Sequence, residues 1–249
     1  MMSLRQLFPA AVAEVDLAEA YAFPDGTRRC VRAVFVSSVD GAATMNGRSR
    51  GLGNAADTTI FALLRGLADV VLVGAGTVRV EHYGLIEPTP LWDKLRDGRP
   101  PAPPVAVVSR TLEFDLSGPL FAAAPDRART IVLTCQGAPD ARRRAVSRVA
   151  EVIVAGGDRV EPSAALDRLA ERGYRRVSCE GGPRLLAQIA QAGCLDELCL
   201  TLSPLVLAGS SPRITNGPAL TGSLHLDLVT VLEGDGYLFL RYALRGPAT

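Results

Sequence analysis

Little in this sequence reaches outward. Its 249 residues hold 27 Lys and Arg against 26 Asp and Glu. The formal net charge of +1 leaves no long-range field to gather nucleic acid or an anionic membrane. No apolar run approaches the roughly eighteen residues at which a membrane-spanning helix becomes a candidate. The start, Met1 to Pro9, lacks the charged opening and long apolar stretch of a secretion signal. The two histidines, His82 and His225, lie far apart, and the five cysteines (Cys30, Cys135, Cys179, Cys194, Cys199) form no Cys-x-x-Cys pair. Those spacings speak against zinc. An odd number of thiols, several inside apolar runs, points to reduced, buried cysteines rather than disulfides. There is neither an internal repeat nor a low-complexity tract. The expectation is a cytoplasmic globular protein with no metal site. It is read as a single domain over 1–249, burying roughly 70–75% of its unfolded surface.

What is present is an alternation of apolar strands and amphipathic helices. Residues 1–28 are expected as an N-terminal extension, a short helix followed by a turn at Phe23-Pro24-Asp25-Gly26. A strand follows over Cys30 to Ser37, then a polar loop, Thr44 to Gly53. Asn54 can cap a helix on which Ile60, Phe61, Leu64 and Leu67 recur with helical spacing. Val70-Val71-Leu72-Val73 is four aliphatic residues in a row, three of them β-branched, and suits a strand buried on both faces. Residues 86–104, with six prolines and the only tryptophan, Trp92, are expected as a Pro-rich surface excursion. Short strands are predicted at Val105–Val108, Ile131–Thr134, Val152–Ala155 and Val177–Cys179. One helix runs from a Ser163 cap to Gly173, and another from Pro183 to Gly193. Arg142, Arg143, Arg144 and Arg148 have the spacing of a helix's wet face, and without aromatic partners they do not suggest nucleic acid. After an apolar strand, Leu195 to Leu207, two more strands flank Glu233-Gly234-Asp235-Gly236, a strong hairpin signal. The pattern predicts an α/β fold. It has a mixed, mostly parallel central sheet, helices on both faces and a C-terminal antiparallel hairpin.

Two glycine pairs, Gly74/Gly76 and Gly181/Gly182, fall at strand-to-helix junctions. Glycine there lets a phosphate approach backbone N–H groups at the positive end of a helix. A Rossmann fingerprint does not fit, because Arg79 stands where the third glycine belongs and no acidic residue ends a following strand. Each pair could also be an ordinary tight turn.

Taken together, several stretches resemble a known family. They are Ser38-Val39-Asp40-Gly41, Gly47-x-Ser49, Leu64-Arg65, Val73-Gly74-Ala75-Gly76-Thr77-Val78, and Glu180-Gly181-Gly182-Pro183 with Leu195-Asp196-Glu197-Leu198. Their order and spacing are similar to the reductase domain of riboflavin biosynthesis, in the dihydrofolate-reductase-like superfamily, over Val31 to Leu244. The resemblance implies NADPH as hydride donor, usually a homodimer, and reduction of a ribosylamino-pyrimidine phosphate to its ribityl form. It implies that Gly74, Gly76, Thr77, Gly181 and Gly182 cradle the cofactor, and that Arg65 holds the substrate phosphate, with Ser49 in the same loop. Glu81 falls where the family commonly has an aspartate beside the reacting carbon. The deaminase motifs often fused to this domain, His-x-Glu and Pro-Cys-x-x-Cys, are absent. Ala42, Gly51 and His82-Tyr83 depart from the family pattern, and all lie on the substrate side.

The chemistry asks for a proton beside the hydride, and Glu81 or Asp40 could give it as a carboxyl with a raised pKa. Asp40 before Gly41 is also a good turn residue, and Glu81 could be a first-turn helix acid. Ser109-Arg110, closing a strand, offers a hydroxyl and a forked cation for the adenosine 2′-phosphate. Two other functions share these residues: a pterin or dihydrofolate reductase, and a nucleotide-binding protein without catalysis.

Overall fold

A computed structural model of the chain describes residues 4–26, 28–96, 98–121 and 129–245. Ten strands among these residues form one sheet. They are β1 (Arg5–Phe8), β2 (Cys30–Ser38), β3 (Val70–Gly74), β4 (Val105–Val108), β5 (Ile131–Thr134), β6 (Glu151–Val154), β7 (Arg176–Cys179), β8 (Glu197–Ser203), β9 (Leu226–Gly234) and β10 (Tyr237–Leu244). The order is β1-β9-β10-β8-β2-β7-β3-β4-β5-β6. From β8 to β6 neighbouring strands run parallel, and β1, β9 and β10 pair antiparallel. This is the mixed, mostly parallel sheet expected. The hairpin turn sits at Asp235 (φ 53°) and Gly236 (φ 80°), as a two-residue turn with two positive φ angles requires.

Six α-helices among the described residues flank the sheet: α1 (Leu17–Ala20), α2 (Ala55–Leu67), α3 (Ala75–Glu81), α4 (Asp140–Val146), α5 (Pro162–Glu171) and α6 (Pro183–Gln191). Alternate residues of each strand serve opposite faces. Val70 and Leu72 meet Leu166, Leu169, Leu186 and Ile189 of α5 and α6. Val71 and Val73 pack in a second cluster that takes in Val78 of α3 and Val146 of α4. Ile60, Leu63 and Leu64 of α2 close a third cluster against Tyr21, Cys199 and Phe239. An unbroken aliphatic run is what a strand needs when both its faces are covered. The parallel strands point their carboxyl ends, and the loops after them, to one edge, where open sheets bind ligands.

Four local expectations change. The N-terminal extension contains a strand, β1, besides its short helix, and the two-residue run Leu7-Phe8 was too short to show it. This end is also pinned to the sheet. Arg32, fully buried, ion-pairs with Glu197 at 2.6 Å and donates to the Tyr21 carbonyl at 2.7 Å. α5 begins at Pro162 with Glu161 as its N-cap and no side-chain capping bond, so Ser163 is not the cap: proline's fixed φ starts the helix two residues earlier. The strand expected over Leu195 to Leu207 is shorter, ending at Ser203 before Pro204, which has no N–H for the ladder.

Residues 86–104 form more than a surface excursion. Trp92 and Arg96 are buried. The Trp92 ring donates to the Ala62 carbonyl at 2.8 Å, and Arg96 Nη1 donates to Gly66 and Ala68 at 3.0 and 2.6 Å. Arg99 Nη1 adds a bond to Leu67 at 3.0 Å. The last carbonyls of a helix have no partner inside it and carry its negative end. Two arginines from this stretch satisfy them, and so fix the C-terminal turn of α2.

Candidate active site

The two glycine pairs meet. β7 and β3 are neighbours in the sheet, with Leu72 opposite Cys179, so the turns that follow them share one edge. Gly74 N–H donates to the Gly181 carbonyl at 2.6 Å. A Cβ on Gly74 would touch that carbonyl at 3.6 Å, an ordinary contact, whereas one on Gly182 would lie 2.6 Å from Thr77 Oγ1. Nothing lies within 4 Å of a Cβ built on Gly76. Gly181 has φ +96°, and a Cβ there would strike the Phe35 ring at 2.9 Å; only glycine fits. α6 carries Gly182 as N-cap and no side-chain capping bond. The result is a floor of glycine backbone running from α3 to the start of a nine-residue helix, with open space beside Gly76.

The polar loop folds over the end of α3. Ser49 donates to Glu81 Oε1 through its backbone N–H at 2.9 Å and its hydroxyl at 3.0 Å. One residue along on each side, Arg48 Nη2 and His82 Nε2 stand 3.2 Å apart. Glu81 is therefore oriented by the loop at the end of α3, not loose on the surface.

Beside the floor lies a side-chain cluster that the sequence did not announce. Arg65, on α2, makes a forked ion pair with Glu180, Nε to Oε1 at 2.8 Å and Nη2 to Oε2 at 2.6 Å. Tyr83 donates its hydroxyl to Glu180 Oε2 at 2.6 Å. The Glu180 side chain is 1% exposed and that of Arg65 22%. The Arg65 guanidinium also sits 4.3 Å from the Phe61 ring centroid. Burial pulls the Arg65 pKa down, but the Glu180 charge and hydrogen bonds outweigh it and raise it on balance. Burial first, then the Glu180 charge, pushes the Tyr83 hydroxyl well above its usual value. Because Glu180 precedes Gly181, this cluster and the floor share a peptide. Glu180 and Tyr83 were visible only as motif letters; their meeting depends on the sheet order.

The other expected residues fall in different places. Asp40 is exposed and accepts from Ser38 Oγ, from Ala208 N–H at 2.7 Å and from Leu207 N–H at 3.1 Å. The Ser38 hydroxyl, then the Ala208 N–H, hold its carboxyl below the ordinary range, the reverse of the raised pKa expected. Its turn role is the one the geometry shows. Ser109 follows Val108, which lies opposite Gly74. Its hydroxyl accepts from Leu112 N–H at 3.0 Å, closing a turn, while Arg110 beside it is exposed. Burial does raise the carboxyl of Asp57, on the first turn of α2, with the Thr201 hydroxyl working the other way; it also raises that of Asp196, just before β8. Asp57 Oδ2 occupies the space that a Cβ on Gly53 would fill. Asp57, Phe61 and Arg65, four residues apart in turn, share one stripe of α2.

A bare-backbone floor beside a buried ionic cluster, at the carboxyl edge of a parallel sheet, suits an enzyme that works with a nucleotide. Comparison with known proteins narrows this to a reductase family. The chain belongs to the RibD C-terminal domain family, which it matches over residues 29–238. It is 32% identical over 184 residues to the 2,5-diamino-6-ribosylamino-4(3H)-pyrimidinone 5′-phosphate reductase of Archaeoglobus fulgidus, spanning 73% of this chain and 82% of that one. The crystal structure of a pyrimidine reductase-like protein from Corynebacterium diphtheriae superposes with a TM-score of 0.84 at 30% identity. The match covers 93% of this chain and 99% of that one. RibD of Acinetobacter baumannii shares the fold, with a TM-score of 0.70 at 19% identity over 88% of this chain and 59% of the other.

Proposed function

We propose that this protein is an NADPH-dependent reductase that converts the ribosyl group of a ribosylamino-pyrimidine 5′-phosphate to ribityl, the kind of reaction for which the Archaeoglobus relative is named. One observation carries the proposal: the glycine floor and the Arg65–Glu180–Tyr83 cluster are joined through the Glu180–Gly181 peptide. A dinucleotide seated on the floor would have its reactive end beside a cleft built for a polar ring. Gly74, Gly76, Thr77, Gly181 and Gly182 are assigned to the cofactor's phosphates and ribose, with open space beside Gly76. Ser109 and Arg110 are assigned to the adenosine 2′-phosphate. Arg110 supports this by making no ion pair with a described residue, at the strand end next to Gly74.

Bound NADPH supplies the hydride. The chain's own residues must hold the substrate, keep water away and move one proton. When the ribose ring opens, hydride adds to the carbon of the resulting imine and the attached nitrogen takes a proton. Glu81 is assigned as the donor, because Ser49 fixes its carboxyl at the end of α3. Asp40 is assigned to holding its turn. Ser49 and Arg65 stay on the substrate side, Arg65 as half of an ion pair that shapes the cleft. The raised pKa of Asp57 favours a second reading of the proton's source, in which Asp57 gives it. We place the enzyme in the cytoplasm as a homodimer. Exposed Leu7, Phe8, Val12 and Leu228 around β1 and β9 supply apolar surface for a second copy.

The test is to follow NADPH oxidation with the pyrimidine substrate and with dihydrofolate. Turnover of the pyrimidine with little of dihydrofolate is expected. Preference for dihydrofolate would make this a pterin reductase. Cofactor binding with neither oxidation would leave a nucleotide-binding protein without catalysis.

A further inference from the structure

We propose that residues 83–96 form a strap that sets how Arg65 and Tyr83 stand against Glu180, with Trp92 and Arg96 as its positioning residues. The proposal rests on the reductase reading above and gives its cleft a support from outside. In the cleft, Glu180 takes hydrogen bonds from Arg65 and from Tyr83. One stretch of chain holds both. Tyr83 is its first residue, with its N–H on the Val78 carbonyl at 3.1 Å. Arg65 lies in the last turn of α2, and the far end of the same stretch grips that turn.

The grip is close on both sides of Arg65. Three residues before it, the Ala62 carbonyl accepts from the Trp92 ring at 2.8 Å. A Cβ on Gly66, the residue after it, would lie 2.4 Å from Trp92 Cδ1 and 2.6 Å from its Nε1. Glycine there lets the indole reach the helix backbone. Arg96 Nη1 then donates to the Gly66 and Ala68 carbonyls at 3.0 and 2.6 Å. Both side chains rise from turns rather than open loop. The Trp92 N–H donates to the Thr89 carbonyl at 2.9 Å, and the Arg96 N–H to that of Trp92 at 2.9 Å. Between them Leu95 packs into both the second and the third apolar clusters.

The end of a helix does not need such a device for the fold alone. Water, or a glycine just past the last turn, commonly satisfies its carbonyls. Here the task falls to a guanidinium on a side chain that is buried, in a residue 4% exposed. Burial, with the Arg99 charge beside it, pulls the Arg96 pKa down to about 10, which measures how unwelcome the charge is there. What the arrangement brings is a fixed turn under Arg65, whose forked contact with Glu180 depends on orientation. A misplacement of about 1 Å in a positioning contact is enough to cost roughly a hundredfold in rate.

The experiment compares wild type with Gly66→Ala, Arg96→Gln and Arg96→Lys. Alanine favours the helix but must push the indole aside. Gly66→Ala therefore moves the strap without weakening α2, and it decides the matter where an Arg96 variant fails to fold. Trp92 is the only tryptophan, so its emission reports the displacement directly. In Gly66→Ala and Arg96→Gln, kcat/KM for the pyrimidine ribotide should fall roughly tenfold to a hundredfold. NADPH affinity should not change, and Arg96→Lys should recover part of the loss. Shifted Trp92 emission with undiminished kcat/KM would overturn the strap. So would an equal loss of NADPH affinity, the mark of general damage. The Arg65 Nε–H, bonded to Glu180 Oε1 at 2.8 Å, gives a readout that needs no substrate. Its exchange with water, followed by NMR, should be faster in Gly66→Ala and Arg96→Gln. Faster exchange with no pyrimidine turnover by wild type would keep the strap and discard the reductase. Unchanged exchange would discard the strap whatever the activity.

Discussion

The floor at Gly74–Thr77 and Gly181–Pro183 and the cleft at Arg65, Tyr83 and Glu180 touch each other but are made in opposite ways. The floor is defined by missing side chains: a Cβ at Gly182 would meet Thr77 Oγ1 at 2.6 Å, and at Gly76 it would enter open space. The cleft is defined by charged side chains taken out of water, with a Glu180 side chain that is 1% exposed. A side chain added in the open space at Gly76 changes a ligand's path and hardly touches the fold. Removing one partner of a buried ion pair leaves the other charge stranded, and the fold bears the cost. Substitutions on the two sides should therefore fail in different assays.

The largest effect is expected at Glu81, whose carboxyl the polar loop holds at the end of α3. Glu81→Gln should lower turnover roughly 10²- to 10⁴-fold, the usual worth of a general acid, and leave NADPH affinity unchanged. Single-turnover hydride transfer is the measurement. Transfer at full speed would remove Glu81 from the chemistry. Asp40→Asn is expected to transfer hydride close to the wild-type rate, since its carboxyl already serves Ala208 and Leu207.

Next in size is Arg65→Ala. It leaves Glu180 buried without its forked partner, so urea unfolding should show a loss of about 3–5 kcal/mol. Arg65→Lys should recover little, because a lysine cannot make the forked contact. A loss within the scatter of ordinary surface substitutions would mean that the pair is solvated and that the cleft is not held by it.

Gly76→Ala sharpens the contrast from the other side. Position 76 is inside α3 and a methyl there meets nothing, so the helix should gain about 0.5 kcal/mol. The same methyl stands in the proposed path of the diphosphate, and NADPH should bind more weakly. Greater stability with undiminished NADPH binding would show that the floor lies elsewhere.

The same contrast explains what could be read in advance. Gly74/Gly76 and Gly181/Gly182 are legible because each pair is contiguous and its purpose is local: to end a strand, open a helix and keep clear. The sheet was legible because Val70 to Val73 is apolar on both faces. Arg65 and Glu180 are 115 residues apart, and Tyr83 and Glu180 are 97 apart. No local pattern announces that pairing; it exists because β7 enters the sheet between β2 and β3. Arg96 and Arg99 escaped for the same reason, since the carbonyls they cap belong to a helix some thirty residues earlier. Asp57 carries no local mark either: its raised proton affinity comes from burial in the fold, against the opposing hydrogen bond of Thr201.

Asp57 gives the smallest expected effect and separates the two readings of the proton's source. Burial raises its carboxyl above the ordinary value of 3.8, so the folded state favours the protonated form more than the unfolded chain does. Its contribution to stability is then full below the unfolded pKa and is lost as pH rises through the folded one. Asparagine imitates the protonated carboxyl and cannot ionise. Asp57→Asn should thus raise Tm slightly at about pH 7, and the difference should vanish near pH 3, where wild type is protonated as well. If Asp57 gives the proton, the wild-type rate falls as pH rises through this raised pKa, and Asp57→Asn is slow at every pH. If Glu81 gives it, Asp57→Asn keeps the wild-type pH profile. A variant no more stable at neutral pH than in acid would show that water reaches the carboxyl, and the case for Asp57 as the donor would end there.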